Sequence, residues 1–172
     1  KGEGLRQRLR NPDTIKEYRK QLKALETEIL EQMKGFYDQF EGELDGHALT
    51  ADDLKNGSCG IGSYFRKLNN GILGNDIRNA TVEKCLEDAK NWATKTSPRY
   101  ADIINLANSS LMQILEDAEK LRSKNNLLLN SCRLSLQHLN KVQLLANIDE
   151  EVRQLNHDNN RFLLSDTNAL LH

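Results

Sequence analysis

Aromatic residues make up only 5% of this 172-residue chain, and proline occurs twice. Sheets draw on aromatic and β-branched side chains to fill their pleated faces, so the first scarcity speaks against a β-rich core. The second leaves long stretches with nothing to interrupt a helix, and from Arg99 to His172 glycine is missing as well. Charge of one sign is also lacking. With 24 basic and 25 acidic residues the net charge is -1, which offers no general field for nucleic acid or an anionic membrane surface. No run approaches the roughly 18 to 20 apolar residues of a membrane span, and the first residues given do not read as a charged-then-apolar leader. Cysteine is scarce and odd in number. Cys59, Cys85 and Cys132 permit a disulfide between two of them with one free thiol, or no disulfide at all.

What is present is the material of helices: 38% apolar and 28% charged residues. The length suits one domain with a sizeable core. Pro12 stands where a first helical turn begins, with Asn11 or Asp13 to cap it. Ile15, Tyr18, Leu22, Leu25, Ile29, Met33, Phe36 and Phe40 then follow at spacings of three and four, which predicts an amphipathic helix of about 28 residues. Gly42 and Gly46 should end it. Thr50 with Asp53 imitates a capping box, flanked by Leu49 and Leu54 as a staple. Ile61, Tyr64, Phe65 and Leu68 mark a short helix, and Val82, Cys85, Leu86, Ala89 and Trp92 place another over residues 81–94.

Ser97-Pro98 reads as a cap and first turn of a much longer helix. From Ile104, Ala107, Leu111 and Ile114 through Ala118, Leu121, Asn125, Leu128 and Cys132 to Ser135, Leu139, Val142 and Ala146, a heptad seam holds. It meets Asp149 and Arg153 beyond that, so a break is expected near 147–149. Asn125 fits either a register-setting core position or a polar gap facing solvent. Unbroken from 98 to 146, this helix would be about 70 Å long, against about 40 Å for the first. The expected fold is therefore all-α: an elongated helical bundle in which a long, coiled-coil-like C-terminal helix packs on an antiparallel N-terminal helix, with short connecting helices. Residues 1–11 form a flexible basic lead-in. Residues 12–172 form one helical domain, with the long segment at 98–146 and a tail at 157–172.

Groups that chemistry would need to converge are sparse. His47, His138, His157 and His172 stand at no zinc-ligand spacing. Gly57, Gly60 and Gly62 lack the strand before and the Gly-Lys-Ser/Thr after that a phosphate loop requires, so they read as a turn. Ser58-Cys59-Gly60 lacks the rest of a cysteine-protease signature. The chain is thus expected to be non-enzymatic, without metal or cofactor. Three sequons place candidate glycans on Asn56, Asn79 and Asn108, which favours secretion over the cytoplasmic alternative. Between Lys1 and Leu25, eight basic residues face three acids, and Arg6, Arg8, Arg10, Arg19 and Lys20 are candidates for contacting a polyanion or an acidic partner. The small polar run Asn105–Ser110 is either a recognition face or a water-facing side.

Two stretches resemble the helical C-terminal domain of mosquito salivary proteins that bind collagen and block platelet aggregation. One runs from Asn11-Pro12-Asp13-Thr14 through Tyr18-Arg19-Lys20-Gln21 to Ala24-Leu25. The other joins Ser63-Tyr64, Arg66 and Leu68-Asn69-Asn70 to Asp76-Ile77-Arg78 and Val82-Glu83. A Gly/Glu-rich segment precedes the helical domain in that family, and Lys1-Gly2-Glu3-Gly4 would suit its end. The resemblance implies a secreted binding protein directed at a host extracellular component of haemostasis such as collagen, with no catalytic residues. The competing expectation is a structural or scaffold coiled-coil protein that oligomerises or pairs with a partner helix.

Overall fold

The structure is a computed structural model and describes residues 11–158. These residues are helical and include no strand. Helix α1 spans Pro12–Gly46. Asn11 starts it: its side-chain oxygen accepts from the Asp13 amide at 3.0 Å and its carbonyl from the Ile15 amide, leaving Pro12 at the position where a missing N–H is harmless. The helix passes through Gly35 and Gly42 and is longer than the spacing predicts. Leu44 is the reason: it sits four residues beyond Phe40 and is fully buried, and that packing offsets roughly 1 kcal/mol for a helical glycine.

Short pieces follow. Thr50 donates its amide and its hydroxyl to the Asp53 carboxylate, at 2.8 and 2.9 Å, and Leu49 and Leu54 are buried on either side. These bonds hold the Asp53 carboxyl below its ordinary range. Helix α2 spans Ile61–Asn69 with Ile61, Tyr64, Phe65 and Leu68 buried. It stops at Gly71, whose φ of +68° suits glycine. Helix α3 spans Ala80–Glu87, shorter than the expected 81–94. Asp88 adopts an extended backbone, and its carboxylate accepts from the Lys90 amide to start a separate turn at Ala89–Asn91. The predicted apolar stripe survives the interruption, since Val82, Cys85, Ala89 and Trp92 are all buried.

Helix α4 spans Tyr100–Leu106, beginning two residues after Pro98. Ser97 makes a turn there, accepting from Arg99 N through its hydroxyl and from Tyr100 N through its carbonyl. A π-turn over Ala107–Leu111 then joins α4 to helix α5, Met112–Asp158. The expected break near 147–149 is absent; α5 runs through it, and Asp149 pairs with Arg153 one turn on, at 3.2 Å.

The π-turn overturns a seam without slip. Leu111, Ala118, Asn125, Cys132 and Leu139 are buried as the heptads place them. Their partners are each one residue later than expected: Leu115, Arg122 and Leu129 are buried, and Leu136 is half-buried, where the pattern names Ile114, Leu121, Leu128 and Ser135. The extra residue of the π-turn re-phases the helix. Asn125 is a core position, its amide donating to Gln32 Oε1 at 3.2 Å and to Met33 Sδ at 3.3 Å.

The chain forms two compact units, Ala24–Cys132 and Lys1–Lys23 with Arg133–His172. In the first, Ile29, Met33, Phe40 and Leu44 of α1 share a core with Phe65, Trp92, Ile103, Leu111, Leu115 and Leu129. The Phe40 and Phe65 rings stack at 4.1 Å. Residue numbers fall along one long helix as they rise along the other, from Gln32–Asn125 to Glu43–Ser110, so the two helices are antiparallel. In the described part of the second unit, Arg19 donates to Asn140 and Gln143.

Candidate functional site

Two places in the Ala24–Cys132 unit gather polar groups. One is closed. Tyr64 OH donates to Glu119 Oε1 at 2.7 Å, and Arg122 binds both oxygens of Glu119, at 2.6 and 3.0 Å. The remaining donors of Arg122 reach the Leu73 and Gly74 carbonyls at 2.8 and 3.1 Å. Arg78 approaches from outside, 3.7 Å from Glu119. Burial alone would raise the Glu119 carboxyl. The hydrogen bonds from Arg122 and Tyr64 and the charges of Arg122 and Arg78 outweigh it and hold the group below its ordinary value. Burial and the adjacent carboxylate push the Tyr64 phenol up. Every strong donor and acceptor here is matched within the cluster, so it is an anchor fixing the 73–74 turn on α5. Sequence reasoning missed it because Arg122 and Glu119 look like solvated helix charges. The heptad spacing pointed elsewhere, because it places Leu121, not Arg122, at the seam position after Ala118.

The other place is open. Along Ala107–Leu111, short polar side chains turn back on the helix: Asn108 Nδ2 donates to the Ile104 carbonyl at 2.9 Å, and Ser109 Oγ to the Leu106 carbonyl at 3.1 Å. Such back-bonding competes with the regular ladder and suits a widened turn. Ser110 Oγ reaches across to Glu43 Oε2 of α1 at 2.9 Å. A groove of about 590 Å³ lies on that side, lined by Gln39, Gly42, Glu43, Gln113 and Asp117. A second, of about 480 Å³, lies beside it between His47, Arg99, Asp102, Asn105 and Ser109. Arg99 frames the second groove. It pairs with Asp102 at 2.8 Å and donates to the His47 and Ala48 carbonyls at the end of α1. His47 in turn donates Nδ1–H to the Glu43 carbonyl at 2.9 Å. The walls offer amides, hydroxyls and carboxylates for hydrogen bonding. The run Asn105–Ser110 therefore lines a groove rather than a plain convex side.

No family model, curated protein or solved structure matches this chain.

The three sequons are exposed and far from alike. Asn56 stands in a left-handed turn with φ +66°. Asn79 caps α3, its oxygen accepting from the Thr81 and Val82 amides, which leaves the capping to the atom a glycan would not occupy. Asn108 has its amide nitrogen bound to the helix. Of the two alternatives open to the cysteines, the structure shows the one without a disulfide: all three thiols are free, Cys59 at the surface, Cys85 and Cys132 buried. Their positions explain this, since Cys59 sits in a surface turn, Cys85 in α3 with its thiol directed to the Asn91 carbonyl, and Cys132 on α5 near Glu26. Burial pushes the Cys85 thiol up to about 12 and raises Cys132 as well, the latter helped by the Glu26 charge.

Among the candidate polyanion contacts, Arg6, Arg8 and Arg10 lie outside the described residues. Lys20 is exposed. Arg19 is committed within its own unit, bridging Asn140 Oδ1 at 2.9 Å and Gln143 Oε1 at 2.8 Å, with its Nε buried. In the glycine turn three amides are already used: Gly57 N donates to Leu54 O, Ser58 N to Asp52 Oδ1 and Gly60 N to Gly57 O. Among the described residues no cluster of His, Cys, Asp and Glu could hold a metal, and no helix is long and apolar enough to cross a membrane.

Proposed function

We propose that this chain is a secreted, non-enzymatic helical binding protein that engages a macromolecular partner through the polar grooves beside the π-turn. Following the family resemblance, the partner is a host extracellular component such as collagen, and the consequence is inhibition of platelet aggregation. The observation that supports this most is the groove pair itself. Gln39, Asn105, Ser109 and Gln113 present neutral donors and acceptors on rigid helices, chemistry suited to reading a hydrogen-bonding surface rather than to moving protons. The exposed sequons support a secretory route; the three unpaired thiols weigh for the cytoplasmic alternative.

Purified protein tested on immobilised collagen, with a parallel platelet-aggregation assay, checks the proposal. Saturable binding that Gln113→Arg weakens is the expected result, and none at micromolar concentration sinks it. Glycans found by mass at Asn56, Asn79 or Asn108 in material from the natural source would support secretion independently. A second reading, a scaffold protein that oligomerises or pairs with a partner helix, is favoured by one observation: α5 carries large apolar side chains on a face turned away from α1.

A further inference from the structure

Within the second unit, α5 has two faces. Gln143, Ala146 and Asn147 adjoin Pro12–Arg19 of α1, and Leu139 is buried on the same side. At about 100° per residue, the opposite side is marked by Leu134, His138, Lys141, Leu145, Ile148 and Val152. Their spacing is four, three, four, three, four, the spacing of a coiled-coil seam. Yet Leu134 is 55% exposed, Leu145 66%, Ile148 47% and Val152 41%. A seam of this kind in water is unmet packing.

We infer that a second copy of this chain covers the stripe, lying antiparallel to the first. This rests on the scaffold reading above and names its partner. The charges choose both the partner and the direction. The N-terminal half of the stripe carries the polar interruptions, His138 and Lys141; the C-terminal half is wholly apolar and is flanked by Glu151 and by the Asp149–Arg153 pair. Two parallel copies in register would stack Lys141 on Lys141 and set acids beside acids. Antiparallel copies, with the two-fold axis between Leu145 and Ile148, pack Leu145 of each against Ile148 of the other. Lys141 of each then lies over Val152 and beside Glu151 of the other, where its methylene stem covers the apolar surface and its ammonium meets the acid. Asp149 already pairs with Arg153 on its own helix, at 3.2 Å, so Glu151 is the acid that meets Lys141.

Light scattering over micromolar concentrations, with the full chain, tests this. The wild type should form a dimer. Leu145→Asp should abolish it with unchanged helicity, because residue 145 is on the surface of the single copy. Lys141→Glu and Glu151→Lys should each weaken dimerisation about tenfold by opposing like charges, and the two together should restore it to within about threefold of wild type. A wild-type monomer overturns both this inference and the oligomerising form of the scaffold reading. A dimer untouched by all three changes overturns the inference alone, since another face then holds the copies together.

Discussion

At the scale of single residues, Arg122 holds a place that hydropathy assigns to leucine. It is 3% exposed and its partner Glu119 8%, and its guanidinium helps keep that buried carboxylate charged. Arg122→Ala strands a buried carboxylate and should cost about 3 to 5 kcal/mol, read by chemical denaturation, whereas Glu119→Leu with Arg122→Met should lose far less. Acid should act on the same pair. A carboxyl held below its ordinary value in the folded state contributes stability that is complete above the unfolded-state value and lost as pH falls through the folded one. The wild-type melting temperature should therefore drop below about pH 4 more steeply than that of Glu119→Gln. The cysteines give a third readout. A thiol reagent applied to native protein should modify Cys59 alone, with Cys85 and Cys132 reacting only on unfolding. Rapid modification of two or three thiols in the native state would contradict their burial.

At the scale of elements, the helices themselves were legible wherever spacing and caps agreed: Asn11-Pro12 at the start of α1, the Thr50–Asp53 box, and the four large apolar positions of α2. Three boundaries were not. Gly42 is a breaker by propensity, but Leu44 outweighs it through packing that sequence does not display. Asp88 is compatible with a helix interior and is instead drawn into capping the next turn. Most consequential is the π-turn, because Leu121 and Leu128 make the straight heptad look better than the true seam through Arg122 and Leu129. Its one surplus residue makes a sharp comparison possible. Deleting Ser109 should convert the π-turn to a regular helical turn and keep the downstream core in phase. Circular dichroism should show full helicity and cooperative unfolding. Deleting Ser123, in a regular stretch, should rotate everything beyond it by about 100° and abolish cooperative unfolding.

At the scale of the whole molecule, composition and the scarcity of proline were enough to establish an all-α chain with a long C-terminal helix packed on the N-terminal one. The candidate grooves were half legible. The small polar run Asn105–Ser110 was visible in sequence, but its neighbours Gln39 and Glu43 come from α1, more than sixty residues earlier, and only folding brings them together. That distance also governs how the protein reaches its native state. Antiparallel helices joined by a long excursion close like a zipper from the inside. Glu43 meets Ser110 across 67 residues, Gln32 meets Asn125 across 93, and Arg19 meets Asn140 across 121. Each contact made early shortens the loop the next must close, so forming them in the reverse order carries the greater entropic cost. Substitutions at Leu111 and Leu115 should therefore slow folding, while those at Leu139 should chiefly speed unfolding. On that order the contacts beside the polar grooves should form first and the Arg19 contacts last.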